Sequence, residues 1–343
     1  MKTVTLVAPC YDEVEVLPEF YARVRQLANQ LPQYKLEILF VNDGSRDGTD
    51  GLLDSLAAQD PYVKVLHFAR NRGHQVALTA GLDFAEGDVI VTMDADLQDP
   101  PEVIPELLTK IEEGFDIVHA QRSVREGETR FKLATAHAFY RLLNAIAHEP
   151  LIEDYGDFRA FTRPVLMAVR GFREQHRFLR GTFVLLGFRQ AVLPYHRAAR
   201  SAGRTKFPLR KMLSFAVDGI VSFSSAPLRS LLWFAFILWG VSLAFTARAL
   251  IGHFIFRWTV PGWTSLVVLL TFFTGLNLFS LSVVGLYVGR TFEQGQHRPL
   301  YWCRATRNID LRALPYSPEI ELSRRILGLN ESPSSPTDND HPE

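Results

Sequence analysis

The chain has 343 residues, enough for one large domain with an appendage or for two modest domains. Its 37 Lys and Arg balance 37 Asp and Glu, which lacks the basic excess of a general nucleic-acid binder, so no nucleic-acid partner is expected. Two cysteines, Cys10 and Cys303, rule out a disulfide framework and suit a reducing compartment. The N-terminal "MKTVTLVAPCYDE" has too short an apolar run, and meets acids too early, to read as a signal peptide, so the chain is expected to begin in the cytosol.

In chain order, "TVTLVAP" reads as a strand, and residues 16–29 carry apolar side chains at helical spacing. "KLEILFVND" is a second strand, followed by a short helix from about Thr49. "VKVLHFA" and "HQVALTAGLDFA" repeat the pair. "DVIVTMD" is the fourth strand; Asp99 then reads as an N-cap, with Pro100 opening the helix of "EVIPELLTKIEEG". This alternation predicts an α/β, Rossmann-like doubly wound parallel sheet with right-handed crossovers and a ligand beyond the carboxyl ends of the strands. Polar clusters stand at all four ends: "PCYDE", "NDGSRDGT", "RNRGH" and "DADLQ". No "GxGxxG" follows the first strand and no "GxxxxGK[ST]" occurs, so dinucleotide and P-loop chemistry lose their usual support.

Asp94 and Asp96 stand two apart, which on an extended backbone turns both carboxylates to one side. Such a pair could be an acid/base couple, a metal site or solvated loop acids. Beside a nucleoside diphosphate it would repel the ligand by about 4 kcal/mol per charge pair at ~4 Å. A divalent cation between them reverses that sign. Oxygen ligands, with Gln98 as a third, suit Mg²⁺ or Mn²⁺ and not zinc.

The second half is rich in Arg and then turns apolar. "SLLWFAFILWGVSLAFTA", from Ser230, and the stretch from Trp258 to Gly289 carry no charge, and each is bracketed by cations: Arg229 and Arg248, Arg257 and Arg290. Each is near the ~20 residues a bilayer-spanning helix needs. A pair of buried core helices is the alternative. Lys and Arg crowd before the first stretch and after the second, which predicts both ends on the cytoplasmic side. "KFPLRKMLSFAVDGIVSFSS" alternates basic and apolar residues and could lie in the interface plane. The tail from about Asn330 reads as disordered.

These motifs resemble the GT-A, family 2 glycosyltransferases, in particular the polyprenyl-phosphate glycosyltransferases such as bactoprenol glucosyltransferases and dolichyl-phosphate mannose synthases. The resemblance runs to about residue 302 and rests on "VAPCYDEVEVLP", "VNDGSRDGT", "NRGHQVALTAGLDFAEGDVIVTMDADLQDPPE", "DYGDFRAFTR", "AGRTKFPLRKML" and "VGLYVGRTFEQGQHRPLY". It implies a GT-A domain over 1–206, an interfacial segment over 207–228, transmembrane helices at 229–252 and 262–289, and a cytoplasmic segment over 290–343 ending in the disordered tail. It further implies that Asp94, Asp96 and Gln98 bind the metal–diphosphate. Pro9, Tyr11, Glu13 and Asp43 look like the nucleoside pocket, and Asp157 stands where the family has a base or a sugar-orienting acid. Cys10 and Asp12 depart from a common Ala and Asn, and Leu286 replaces a common Glu of the second helix.

A lipid-phosphate acceptor brings a second anion, and Arg is the residue that meets it. Arg122, Arg130, Arg159, Arg197, Arg200, Arg204 and Lys206 are the candidates: Arg122 joins Asp96 and Asp157 as catalytic, and Arg130, Arg200 and Lys206 hold the acceptor phosphate. His74, at a helix start, reads as a capping or packing residue, and "QHRFLRG" with His176 only faintly echoes the Q-x-x-R-W of polymerising relatives. The expected reaction is inverting transfer of a monosaccharide, glucose from UDP-glucose, to undecaprenyl phosphate at the cytoplasmic face of a multi-pass inner-membrane protein. GDP-mannose or a UDP-aminosugar as donor, a processive synthase and a non-catalytic nucleotide-binding scaffold are the alternatives. Assembly into a homo-oligomer stays open.

Overall fold

The computed structural model describes residues 1–122, 155–175, 177, 179–195, positions scattered between 231 and 255, and 262–328 apart from 316. They fall into two units, the first holding the described residues of 1–122, 155–195 and 299–328, the second those of 231–298.

The first unit is built on a sheet whose described strands run in the order β7-β5-β6-β4-β1-β2-β3-β8. They are β1 (Lys2–Cys10), β2 (Tyr34–Asn42), β3 (Val63–Phe68), β4 (Val89–Thr92), β5 (Ile117–Arg122), β6 (Tyr155–Thr162), β7 (Gln190–Tyr195) and β8 (Cys303–Arg307). The four strands read from the sequence pair in parallel as β4-β1-β2-β3. The sheet as a whole is mixed, which corrects the all-parallel expectation: β6 runs antiparallel between β4 and β5, and β8 antiparallel along β3. Strand β6 brings "YGDFRAFT" beside β4, so Asp157 meets the end of the strand that leads into Asp94.

Helices cover both faces, which is why β1 and β2 read as continuous apolar runs. On one side α1 (Leu17–Gln30) turns Leu17, Phe20, Val24 and Leu27 into the core, a spacing of three and four that makes one helical stripe. Phe20 meets Phe40 of β2 edge-on at 5.9 Å, and α2 (Thr49–Gln59) and α4 (Ile104–Glu112) complete that layer. On the other side α3 (His74–Phe84), α5 (Arg163–Arg170) and α6 (Leu179–Leu185) pack with the C-terminal segment. Gly81 of α3 lies so close to β1 that a Cβ there would come within 2.2 Å of Val7. Asp99 is not an N-cap: a 3-10 turn, Pro101–Val103, starts after Pro100, and the Asp99 carboxylate turns inward to Arg122 and Tyr195.

His119 of β5 is a buried polar group in this layer, with Nε2 3.0 Å from Gln190 Oε1. Burial, reinforced by nearby Arg159, pushes its pKa down to about 3. The folded value lies below the unfolded one, so the stability is whole above pH ~6.5 and falls as pH drops from there toward 3. Between pH 7 and 4.5 the fold should lose about 2–3 kcal/mol through this group, read by urea unfolding in detergent. A His119→Gln variant should lack that component; an unchanged slope would refute it.

In the second unit, α7 (Trp263–Gly295) is one helix of 33 residues, about 50 Å long. It runs six residues past the expected end at 289, through "RTFEQG". Its segment Phe272–Gly295 is long and apolar enough to cross a membrane, and none of that helix's described side chains is buried. The expected first helix, 229–252, is described only in part: positions 231, 233–238, 240, 241, 244, 248 and 251 are helical. The interfacial segment 207–228 lies outside the described residues.

Candidate active site

A cleft of about 290 Å³ opens at the carboxyl ends of the parallel strands, lined by residues from all four expected strand ends. The first wall leaves β1 as Pro9, Cys10, Tyr11 and Glu13. Asp12 between them sits in the left-handed region at φ 55°. Its N–H donates to Ser45 Oγ at 3.0 Å, and its Oδ1 accepts the Arg46 N–H at 2.8 Å. The residue that departs from the common Asn thus ties the first two strand ends together. Burial, with Glu13 and Asp43 nearby, pushes the Cys10 thiol up, so it stays protonated and unreactive.

Asp43 supplies the second wall. Its two carboxylate oxygens accept the backbone N–H groups of Arg72 (2.6 Å) and Gly73 (2.9 Å), and burial pushes its pKa up. Gly44 next to it has φ +70°, and a Cβ there would lie 2.6 Å from the carbonyl carbon of Arg70, so only glycine lets these two loops touch.

Asp94 and Asp96 both line the third wall, from a loop and not from a strand, because β4 ends at Thr92. Asp96 Oδ1 accepts the Gln98 N–H at 3.1 Å, and Leu97 between them is held at φ 57°, a strained geometry for a branched apolar residue. Desolvation, together with Asp157, Asp96 and Asp99, pushes the Asp94 pKa up even though His74 opposes it. Among the described residues no three His, Cys, Asp or Glu side chains gather closely enough to hold an ion unaided. Two carboxylates on one loop are the partial oxygen set that Mg²⁺ or Mn²⁺ takes when phosphate oxygens and water complete the shell, so the donor chemistry fits such an ion.

His74 joins this wall to the layer behind it. Its Nε2 lies 3.1 Å from Asp157 Oδ2 and 3.5 Å from Asp94 Oδ1. Burial alone would lower its pKa; the two carboxylates overcome that and hold it up to about 9, leaving an imidazolium facing the cleft at neutral pH. Asp157 lies behind His74 and accepts both nitrogens of an Arg180 fork, Nε at 3.1 Å and Nη2 at 3.2 Å. Burial opposes its ionisation, but Arg180 and His74 keep its pKa well below the usual carboxylate range.

Of the sequence candidates, Pro9, Tyr11, Glu13, Asp43, Asp94 and Asp96 come together in the cleft. Gln98 does not line it, and meets Asp96 through its main chain. Arg122 does not line it either: its guanidinium reaches Asp99 (3.3 Å) and Tyr195 Oη (3.3 Å) and packs against Gly156. Arg159 is fully buried over the Phe183 ring at 4.3 Å and donates to Gly156 O, so it is no phosphate ligand. Arg130, His176, Arg197, Arg200, Arg204 and Lys206 lie outside the described residues. Sequence reasoning passed over His74 and Arg180. The signal for His74 was its position at the carboxyl end of the third strand; that for Arg180 was its place in "QHRFLRG", where the faint echo of Q-x-x-R-W pointed to no carboxylate partner.

The family model described as "Glycosyl transferase family 2" matches residues 5–170. The glycosyltransferase YkcC of Bacillus subtilis is 40% identical over 310 residues, 90% of this chain and 96% of that one. The bactoprenol glucosyl transferase of Shigella phage SfV is 40% identical over 298 residues, 87% and 97% of the two chains. A mannosyltransferase from Pyrobaculum calidifontis, solved with GDP-Man and Mn²⁺, matches at 18% identity and a TM-score of 0.47 over 86% of this chain and 88% of that one, too distant to carry an assignment. The four strand-end clusters that converge on the cleft all lie inside the matched region, and with relatives of this identity and coverage the chain belongs to glycosyl transferase family 2 and is a glycosyltransferase.

Proposed function

We propose that this glycosyltransferase moves one sugar, glucose from UDP-glucose, onto a polyprenyl phosphate at the cytoplasmic face of a membrane. The observation that carries the reading is the cleft itself, which Asp94 and Asp96 line together with Pro9, Tyr11, Glu13 and Asp43. A metal-type carboxylate pair sharing one cleft with a polar pocket suits a nucleoside diphosphate lying across the strand ends. The names of relatives such as the SfV bactoprenol glucosyl transferase support glucose and a polyprenyl acceptor. The exposed apolar length of α7 supports membrane attachment, since a soluble helix rarely leaves so many Leu, Val and Phe side chains bare. Two spans at 229–252 and 262–289 with both ends cytoplasmic complete the proposal.

In this reading a phosphate oxygen of the lipid attacks the anomeric carbon as its bond to the diphosphate oxygen breaks, with inversion. The attacking oxygen is already ionised near neutral pH, so no side chain has to take a proton. Asp94 and Asp96 would hold a Mg²⁺ or Mn²⁺ ion, which when bound offsets the charge of the departing diphosphate. His74 stands on the same wall with Nε2 3.1 Å from Asp157 and 3.5 Å from Asp94, and Asp157 with Arg180 holds the ring there. Arg130, Arg200 and Lys206 are proposed to receive the acceptor phosphate.

The test is nucleoside diphosphate release by detergent-purified protein from a panel of UDP- and GDP-sugars with undecaprenyl phosphate, with and without Mn²⁺ or Mg²⁺. Turnover with UDP-glucose that needs both lipid and metal, giving a single-sugar product, is expected. Turnover with GDP-mannose or a UDP-aminosugar alone would replace the donor, and a lengthening glycan product would sink the single-transfer reading.

A further inference from the structure

Strand β8 follows the long apolar helix in sequence and lies outside the matched residues 5–170, yet two hydrogen-bond chains connect it and the residues before it to the cleft. In the first, the Arg72 side chain donates from Nε to Leu300 O at 2.9 Å and from Nη2 to Pro299 O at 3.3 Å, with its guanidinium 4.8 Å from the Trp302 ring. The backbone N–H of the same Arg72, with that of Gly73, holds the Asp43 carboxylate. In the second, Arg307 Nη2 donates to Asp54 at 2.8 Å, and the other Asp54 oxygen meets His67 Nε2 at 3.1 Å. His67 Nδ1 then meets Asn42 Nδ2 at 3.0 Å, Asn42 Oδ1 accepts the Ser45 N–H, and Ser45 Oγ accepts the Asp12 N–H between Tyr11 and Glu13. Both walls of the expected nucleoside pocket are therefore referenced to residues more than 200 positions away.

The C-terminal segment is anchored without Arg72. Tyr301 stacks on Phe68 at 5.3 Å and donates to Asp83 at 2.8 Å, and Arg173 bridges the buried carboxylates of Asp83 and Glu319. The loop 70–73 is tied to Asp43 by the Arg72 and Gly73 N–H groups and touches Gly44, but Arg70 and Asn71 are exposed, Gly73 turns at φ +93°, and toward the C-terminal segment it has Arg70 over the Trp302 ring at 5.4 Å beside the Arg72 side chain. Its two contacts to Pro299 and Leu300 and the Trp302 ring hold a polar, glycine-ended turn in place. A loop without the Arg72 fork keeps Arg70 over Trp302 and its N–H bonds to Asp43, and the order it loses has to be restored by the ligand at the ligand's own cost in affinity.

We infer that Arg72 is a positioning residue for the donor: it fixes the 70–73 loop, and through it Asp43, against the segment 299–302, so that nucleotide affinity depends on the chain just past the apolar helix. The inference rests on the nucleotide-sugar reading above. Isothermal titration of the detergent-purified full chain with UDP and Mn²⁺ tests it, alongside donor KM, kcat and thermal unfolding. Arg72→Ala should weaken UDP about tenfold, the loss of a pair of charged hydrogen bonds, and raise the donor KM in step. At saturating donor, kcat should stay within about twofold and unfolding should shift by only a few degrees, because the segment keeps its other anchors. Arg72→Lys, which keeps the charge and loses the fork, should fall between, and Arg325→Ala, at an exposed position of α8 (Pro318–Ile326), should bind like the unmodified chain. Unchanged UDP affinity in Arg72→Ala, with the unmodified chain binding normally, overturns this inference alone. A loss of affinity that only tracks the fraction unfolded also overturns it. Failure of the unmodified chain to bind either UDP or GDP overturns the functional reading and this inference with it.

Discussion

Asp96→Ala should cut sugar transfer on the order of 10²–10³-fold in kcat, the range seen when one preorganised electrostatic contact to a developing charge is removed. The expectation follows from what the DAD loop is. Asp94 and Asp96 line a shared cleft, and Asp96 is one of the charges that make ionisation of the buried Asp94 costly, so this wall gains from a cation and loses its reason for two acids without one. Asp96 is also the better-held of the two: its Oδ1 is fixed by the Gln98 N–H, while Asp94 shares His74 with Asp157. Chelating the metal from the unmodified protein should therefore cost about as much as the substitution, and chelation should add little to Asp96→Ala. Groups that act as one unit give such non-additive losses. Stopped assays of nucleoside diphosphate release with and without EDTA measure all four corners of this cycle. Full additivity would mean that Asp96 acts on something other than the ion.

The pocket was legible in the sequence because its parts are local: each wall is a polar cluster directly after an apolar run, and the alternation of strand and helix forces those clusters to one edge. Asp94 and Asp96 were found that way even though the reason first given, a shared strand face, does not hold beyond Thr92. What stayed hidden is long-range. The antiparallel insertion of β6 and the capture of β8 by β3 depend on segments with no marker of which edge they join. Arg180 and Asp157 are 23 residues apart, and no spacing rule links a short helix to a strand of the same sheet. Arginine roles were the least legible. Arg122 and Arg159 look like free phosphate ligands in a sequence, but one is engaged by Asp99 and Tyr195, and the other is buried against Phe183. A fork of five donors serves a buried carboxylate as well as it serves a phosphate, so composition cannot separate the two uses.

Asp157→Asn should reduce kcat by about 100-fold or more and also destabilise the fold by roughly 3–5 kcal/mol, the usual penalty for removing one member of a buried ion pair. The carboxylate balances Arg180 and His74 and stands close to the buried Arg159, so an amide leaves Arg180 and Arg159 without their shared carboxylate behind the cleft and leaves His74 with Asp94 alone. Two roles predict different partners for this loss. A general base would become stronger if Arg180 were removed, because that cation is the main force holding the Asp157 pKa down; Arg180→Ala would then keep or raise the rate. A positioning acid needs Arg180 to hold the carboxylate where His74 can meet both Asp157 and Asp94. Arg180→Ala would then lose nearly as much activity as Asp157→Asn, and the double variant would be little worse than either. We expect the second pattern. The reacting phosphate needs no proton removed, and a carboxylate held this far below its usual range is a poor proton acceptor. Single-turnover rates for the two single variants and the double variant, measured on protein shown by unfolding curves to be folded, decide between the roles. A rate maintained in Arg180→Ala would return Asp157 to the chemistry.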